Sequence, residues 1–138
     1  MEVKIRSVSA TNKGAKAFLR SANKKMLLDN EWVDATKGGY IDSTDPATGQ
    51  VLASFPKGSV VDVDAAVSSA RASFESGIWR TMLPAERAKI LWKIGELIDT
   101  NIDELAELET LDQGKPLGVS RWAEIPGAAE QFRYFAGL

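Results

Sequence analysis

The sequence predicts a helix-rich α/β module in which short strands precede about four helices. Between residues 25 and 59, short apolar runs alternate with Asp, Asn, Gly and Pro, a pattern typical of strands and turns. From Ser59 onward, apolar residues recur every three or four positions, as on one face of a helix. The chain has 138 residues, of which 44% are hydrophobic, so its length matches one ordinary domain.

Two hairpins are predicted in the strand region. The segment KMLLDNEWVDA (25–35) predicts two short strands around a turn at Asp29 and Asn30. The segment YIDSTDPATGQVLASFPKGS (40–59) predicts an extended stretch, a turn at residues 45–49 and a second strand, VLASF. Pro46 presets the backbone at the start of that turn, and Gly49 permits a left-handed residue at its end.

The first two predicted helices have recognisable ends. The first runs from about Ser59 to Glu75 and stops at Gly77, a residue suited to a left-handed helix terminus. The second begins at Pro84, which is well tolerated at the first helical position. It continues through AERAKILWKIGELIDT, whose apolar residues form one stripe.

The third helix is predicted to begin at Thr100 and Asp103, which resemble a capping pair. Gly114 is placed to end it, and Pro116 is expected to prevent the helix from resuming. A last helix is predicted from about Pro126 to Phe135.

The N-terminal arm, residues 1–24, is basic. Residues 1–25 carry seven Lys or Arg and a single acid, Glu2. We expect a solvated, flexible tail, while a nucleic-acid arm and an organelle transit peptide are alternatives. Nucleic-acid arms usually bring stacking aromatics, and here only Phe18 is available, so no nucleic-acid partner is expected. Because no apolar run approaches the ~20 residues of a membrane span, we expect a cytoplasmic protein without membrane contact.

The absence of both cysteine and histidine excludes several kinds of chemistry. Thiolate nucleophiles, disulfides and imidazole-based triads or metal ligands are all ruled out within these residues. Glu104, Glu107 and Glu109 cluster on one predicted helix and could share a proton or a cation. A solvated acidic face is the favoured interpretation. These residues alone therefore predict no complete active site.

Five segments, in order, closely resemble the opening portion of the NAD(P)-dependent aldehyde dehydrogenase superfamily. They are DPATGQVLASFPKGS, DVDAAVSSARASFESGIW, LPAERAKILWKIGELI, ELETLDQGKPL and AEIPGAAEQFRYFAG. The similarity covers residues 25–138 and about the first quarter to third of the family pattern. The last segment is most similar to the phenylacetaldehyde or aryl-aldehyde branch. The resemblance implies the helix-rich N-terminal part of that fold, an incomplete cofactor-binding domain that lacks most of the Rossmann-like sheet.

The resemblance also implies a reaction. Family members oxidise an aldehyde to a carboxylic acid through a thiohemiacetal on a cysteine, with hydride transfer to NAD or NADP and hydrolysis assisted by a Glu base. The cysteine, the Glu base and the glycine-rich cofactor loop have no counterpart in this sequence. We therefore expect no cofactor binding and no dehydrogenase activity from this chain alone.

Two sets of site residues are carried over from the family. Backbone oxygens of Ser43 or Thr44 and the carboxylate of Asp112 match the positions that hold a monovalent cation in many members, and oxygen ligands suit such a cation. The alternative is that Asp112 only caps its helix end. Ala123 and Gly127 match positions that border the aldehyde entrance tunnel.

Two classes of function remain open. The first is the N-terminal part of an aldehyde dehydrogenase, and the second is a shortened module that associates with itself or docks on a full-length relative. In both cases the apolar stripes would need a partner surface, so we expect a homo-oligomer, a docked complex or a poorly soluble monomer. The stripes comprise residues 63, 67, 70 and 74 and residues 91, 94 and 98.

Overall fold

A computed structural model describes residues 10–21 and 24–138. The strands are β1 (Met26–Leu28), β2 (Glu31–Val33), β3 (Tyr40–Thr44) and β4 (Val51–Pro56). The helices are α1 (Lys13–Arg20), α2 (Val60–Ser76), α3 (Ile78–Thr81), α4 (Pro84–Thr100), α5 (Ile102–Gln113), α6 (Leu117–Val119) and α7 (Ile125–Ala136), with a π-helical turn at Ser120–Glu124 between α6 and α7.

Both predicted hairpins are confirmed. β1 and β2 pair antiparallel, and the turn residues Asp29 and Asn30 have φ of 50° and 63°. Two consecutive left-handed residues give the turn the twist that two-residue hairpins favour. β3 and β4 form a second antiparallel pair, whose register shifts between Ser43 and Thr44. A bulge therefore interrupts the ladder at the end of β3.

The start of α2 is fixed by one buried carboxylate. Asp62 accepts hydrogen bonds from the Ser59 backbone N–H at 2.6 Å and hydroxyl at 2.8 Å. It also accepts from the backbone N–H of Thr36 at 3.0 Å and from its hydroxyl at 2.5 Å. The Thr36 hydroxyl and these other donors lower the pKa of Asp62 well below its ordinary value, because they stabilise the charged form more than burial opposes it. Asp62 thus ties the segment after β2 to the helix.

Helix ends at glycine follow the prediction, whereas two other expectations were wrong. Gly77 and Gly114 end α2 and α5 with φ of 73° and 74°. Thr100 does not cap α5, because its hydroxyl donates back to the Glu96 carbonyl at 2.8 Å, while Asp103 pairs with Arg121 instead.

Pro116 does not stop the helical path. It occupies the N-cap position of α6 with φ −58° and ψ 129°. A proline there removes no helical hydrogen bond, so α6 starts directly after it and continues through the π-helical turn into α7. The last helical segment therefore begins nine residues before the predicted Pro126.

The described part of the basic arm is not a flexible tail. Residues 13–20 form α1, and its Ala15 and Leu19 are buried in a core cluster with Leu52 and Ala53 of β4. Leu108 and Leu111 of α5 pack against the same cluster. The tail prediction was wrong for this stretch because apolar partners far along the sequence bind it, and for residues 1–9 and 22–23 it lies outside the described residues.

Helices α4 and α7 approach closely at a glycine. Gly95 is buried, and a Cβ built there would lie 3.1 Å from the Ala129 carbonyl oxygen. Ala129 is fully buried at this crossing. Arg133 of α7 reaches back to Asp99 at the end of α4, so an ion pair adds to the packing.

Much apolar surface stays exposed. On α2, Val63, Val67 and Phe74 are 57%, 62% and 70% exposed, so the predicted stripe has no covering element in the described chain. In the same residues, no helix combines the length and apolar character needed to cross a bilayer.

Candidate functional site

The DPATG turn and the LDQGKP helix end meet at one place. The Ser43 hydroxyl donates to Asp112 Oδ1 at 2.5 Å, although the two residues are 69 positions apart. A Cβ at Gly114 would lie 2.9 Å from Cγ of Pro46, so the helix end also touches the turn. The structure therefore brings together Ser43 and Asp112, two of the three residues predicted to hold a cation, and Thr44 follows Ser43 directly at the end of β3.

Asp45 organises the turn beside this pair. Its Oδ1 accepts from the Ala47 N–H at 2.8 Å, and its Oδ2 accepts from the Thr48 hydroxyl at 2.9 Å. An asparagine, usual here in the family that the sequence resembles, could use its carbonyl oxygen for Ala47, but its NH₂ group could not accept from a hydroxyl. Asp45 therefore suits the turn as built.

The surroundings of Asp112 bear on the predicted cation site. The bulge at Ser43 and Thr44 interrupts the regular ladder at the end of β3. The Asp112 carboxylate is exposed and stands beside that bulge. Carbonyl and carboxylate oxygens suit a hard cation. Asp112 accepts a hydrogen bond from the Ser43 hydroxyl. This bond joins α5 to β3 and does not cap the end of α5.

Lys115 lies in the loop that follows Asp112 and pairs with two glutamates. Its Nζ lies 3.0 Å from Glu109 Oε1 and 3.4 Å from Glu124 Oε1, linking α5 to the π-helical turn. Burial opposes the charge on Glu109, yet hydrogen bonds from Lys115 and Ser120 and the charge of Lys115 keep the pKa of Glu109 below its ordinary value. The other oxygen, Glu109 Oε2, is buried with no hydrogen-bond partner among the described residues. No local pattern predicts this triad, because Glu109 and Glu124 lie on separate helical segments and Lys115 lies in the loop between them.

Two members of the acidic cluster on α5, Glu104 and Glu107, contact the start of α1. Glu107 is buried, and it accepts from the Thr11 N–H and hydroxyl at 2.6 and 2.7 Å and from the Asn12 N–H at 2.6 Å. Desolvation acts against its charge, but these donors and the charge of Lys16 prevail, so the pKa of Glu107 is lowered. Glu104 lies against Gly14, where any Cβ would collide with its carboxylate. Negative charge at the start of a helix stabilises it.

The two predicted tunnel residues lie on one continuous helical path. Ala123 is half-buried in the π-helical turn, and Gly127 is exposed in the first turn of α7. A Cβ at Gly127 would meet no atom within 4 Å, so open space adjoins it.

One cleft among the described residues, about 620 Å³, carries mixed charge. Its lining includes the acids Asp99, Asp103 and Glu104 and the cations Lys13 and Arg121. The three carboxylates outnumber the two cations, and Arg121 is already paired with Asp103, so this lining does not favour a pyrophosphate. The described chain also has no group of three or more acidic side chains placed to hold a metal ion. Neither hydride transfer nor thiol chemistry can be derived from these residues.

The family comparison is direct. Residues 32–138 match the model of the aldehyde dehydrogenase family. The chain is 42% identical over 113 residues to a phenylacetaldehyde dehydrogenase of Pseudomonas fluorescens, a match that covers 82% of this chain and 22% of that protein. It is 43% identical over 113 residues to aldehyde dehydrogenase 1 of Tanacetum cinerariifolium, covering 82% of this chain and 23% of the relative.

Solved structures agree in fold. An aldehyde dehydrogenase of Bacillus cereus, solved as an NAD⁺ complex, aligns with a TM-score of 0.87 at 41% identity, covering 93% of this chain and 26% of that one. A betaine aldehyde dehydrogenase of Staphylococcus aureus, also in complex with NAD⁺, aligns with a TM-score of 0.83 at 32% identity over 90% of this chain and 24% of that one. The chain thus spans about a quarter of the length of these relatives. With its family pattern, its hairpins and its helices all matched, the chain belongs to the aldehyde dehydrogenase family.

Proposed function

We propose that the chain is the N-terminal part of an NAD(P)-dependent aldehyde dehydrogenase and acts in aldehyde oxidation only together with the remaining part of that fold. The observation that carries this proposal is the exposed apolar face of α2 beside a correctly formed family fold. Val67 and Phe74 are 62% and 70% exposed, and a face of this kind needs a covering surface. The matched relatives have about three quarters of their length beyond this segment.

The chemistry of the residues supports inactivity of the chain by itself. A dehydrogenase of the type expected needs a thiolate, and the 138 residues contain no cysteine. The excess of carboxylates over cations in the cleft lined by Asp99, Asp103 and Glu104 speaks against NAD or NADP binding there by this segment alone. An aryl or phenylacetaldehyde-like substrate is the class that we favour for the whole enzyme, on the similarity to the Pseudomonas relative.

Complementation tests the proposal. The chain would be co-expressed with a second polypeptide that corresponds to the remaining three quarters of the Pseudomonas relative, starting after the matched segment. We expect co-purification of the two and formation of NADH or NADPH from phenylacetaldehyde, with neither polypeptide active alone. A Phe74→Asp variant should lose both association and activity, whereas Glu75→Gln, an exposed change on the same helix, should keep both. Folded partners that fail to associate would refute the proposal.

A second candidate is a self-associating module. The same exposed face on α2 favours it, because two copies could cover each other. Light scattering coupled to size-exclusion chromatography distinguishes the two candidate functions. A stable homo-oligomer of the chain alone that dissociates in the Phe74→Asp variant would favour self-association. A monomer that binds a dye for exposed apolar surface would favour the missing-partner interpretation.

The cation site is proposed for the same chain. Backbone oxygens of Ser43 and Thr44 with the Asp112 carboxylate would hold a monovalent cation, which would fix the DPATG turn against the end of α5. Exchanging K⁺ for choline at constant ionic strength should lower the melting temperature of the chain and leave that of Asp112→Asn unchanged. Asp42→Asn is the matched control, since Asp42 lies on the same strand and binds the Ser54 hydroxyl instead. An equal K⁺ response in Asp112→Asn would exclude the site.

A further inference from the structure

Lys24 is a buried amine that the family chemistry leaves unused. It is only 6% exposed. Its Nζ donates to the carbonyl oxygens of Phe18 and Ser21, the latter at 3.0 Å, and thereby caps the last turn of α1. Nζ also lies 4.4 Å from the centroid of the Phe18 ring. In the part of the chain that the structure describes, no carboxylate forms an ion pair with it.

Both hydrogen bonds remain available to a neutral amine, although the face of the Phe18 ring favours the charged form. An ammonium has three N–H donors and the neutral amine has two, and two carbonyls stand within reach. Removing the proton therefore keeps both hydrogen bonds and leaves a lone pair. Burial without a counter-ion lowers the pKa of Lys24 in agreement with this geometry. The adjacent Lys25 differs, because it is exposed and lies 3.8 Å from Asp34.

A cleft opens beside the amine. Its volume is about 390 Å³, within the range of roughly 300–1,000 Å³ usual for small-molecule sites. Three aromatic side chains, Phe18, Trp32 and Phe55, line it together with Ser21 and both lysines, so Lys24 and Lys25 border the same cleft and differ in burial and ion pairing. A planar aromatic ring packs well among such walls.

We propose that Lys24 captures small aromatic aldehydes as an imine in this cleft. Desolvated lysines are the usual amines for imine formation with carbonyl compounds. The Nζ lone pair forms a bond to the aldehyde carbon, and the C=O π electrons move to oxygen, which takes up a proton released by nitrogen. The carbinolamine then loses its hydroxyl together with the remaining nitrogen-bound proton as water while C=N forms. The step consumes no oxidant and releases only water.

Capture has a structural consequence for α1. A protonated imine has one N–H and a neutral imine has none, whereas the free amine donates to two carbonyls. At least one of the carbonyls of Phe18 and Ser21 therefore loses its donor. This loss opposes capture, so the adduct is reversible and its formation weakens the hold on the C-terminal end of α1.

Reductive trapping tests the site without cofactor or any further part of the fold. The chain would be incubated with benzaldehyde at neutral pH, reduced with cyanoborohydride, digested and analysed by mass spectrometry. We expect several-fold more benzyl label on Lys24 than on Lys25, and loss of this selectivity in urea. Lys24→Arg keeps the cap but cannot form an imine. It should therefore remove the fast-labelling fraction, that is, the part of the total label that forms most rapidly, while Lys25→Arg should not.

Three outcomes would overturn the proposal. They are label at Lys24 equal to or below that at Lys25, selectivity that persists in urea, and an unchanged fast fraction in Lys24→Arg with α1 intact by circular dichroism. Trp32→Ala tests the walls without touching the amine and should lower the selectivity for benzaldehyde. Equal selectivity with propionaldehyde would refute the aromatic class of ligand. That this chain encounters aldehydes rests on the proposed function, but the labelling result is independent of whether complementation succeeds.

Discussion

Gly114→Ala perturbs the contact between the DPATG turn and the end of α5 at one atom. Gly114 has φ 74°, and a residue with a Cβ costs about 1–2 kcal/mol in that left-handed conformation. The new Cβ would also stand 2.9 Å from Cγ of Pro46, which is too close, and the rigid ring cannot rotate away. Either the turn or the helix end must move by a few tenths of an ångström, at a further cost of about 1 kcal/mol.

One effect acts in the opposite direction. Alanine restricts the unfolded chain more than glycine does, which offsets about 0.4–1 kcal/mol. The net expectation for Gly114→Ala is a loss of about 1–2.5 kcal/mol in the free energy of unfolding. With a urea m-value of about 2 kcal/mol/M, the midpoint should fall by roughly 0.5–1.2 M.

Gly118→Ala is the matched control. Gly118 lies four residues later, inside α6, and a Cβ there meets no atom within 4 Å. Because alanine favours helix, this variant should gain about 0.5–1 kcal/mol. Urea unfolding followed by circular dichroism compares the two. If Gly114→Ala is as stable as Gly118→Ala, neither the left-handed conformation nor the contact with Pro46 constrains the site.

Further predictions concern helix packing and acid stability. Gly95→Ala should destabilise the chain by about 1–3 kcal/mol, because its Cβ would lie 3.1 Å from a backbone oxygen of α7. Gly127→Ala is the control and should not destabilise the chain, because position 127 faces open space. Equal thermal midpoints of the two variants would contradict the close packing of α4 and α7. The pKa values of Asp62 and Glu107 are lowered in the folded state from ordinary values of 3.8 and 4.5, so their stabilisation is present above those values and is lost as the pH falls below them. Glu107→Gln and Asp62→Asn should each flatten the acid part of the profile of unfolding free energy against pH, measured by urea titrations at several pH values. Asp64→Asn, which removes one exposed charge from α2, is the control. An equally flattened profile in that variant would refute the assignment of the acid dependence to Asp62 and Glu107.

Local turn chemistry was readable from the sequence. Asp29 and Asn30 adopt the left-handed pair that their residue types favour, and Gly77 and Gly114 end their helices, because each effect depends on the residue itself and its immediate neighbours. The pairing of Ser43 with Asp112 followed from family resemblance and not from local pattern, since 69 residues separate them.

Expectations failed where distant groups decide the outcome. The basic composition of the arm favoured a tail, but Glu107 and the apolar side chains of β4 and α5 bind α1. Thr100 and Asp103 have the residue types of a capping pair, yet each finds a competing partner in the folded chain. Pro116 was expected to break a helix and instead begins one, because its position relative to the helix start decides its effect.

The hydrogen bonds from Thr11 and Asn12 to Glu107 determine when α1 can fold during synthesis. Thr11 and Asn12 leave the ribosome 95 to 96 residues before the carboxylate that receives their hydrogen bonds. At roughly 5–20 residues per second, this interval lasts about 5–20 s. An isolated helix of eight residues is marginal in water, so α1 should remain unformed until α5 emerges. Although α1 is translated well before α5, it therefore folds only once α5 is present, and until then Leu19 stays exposed to solvent.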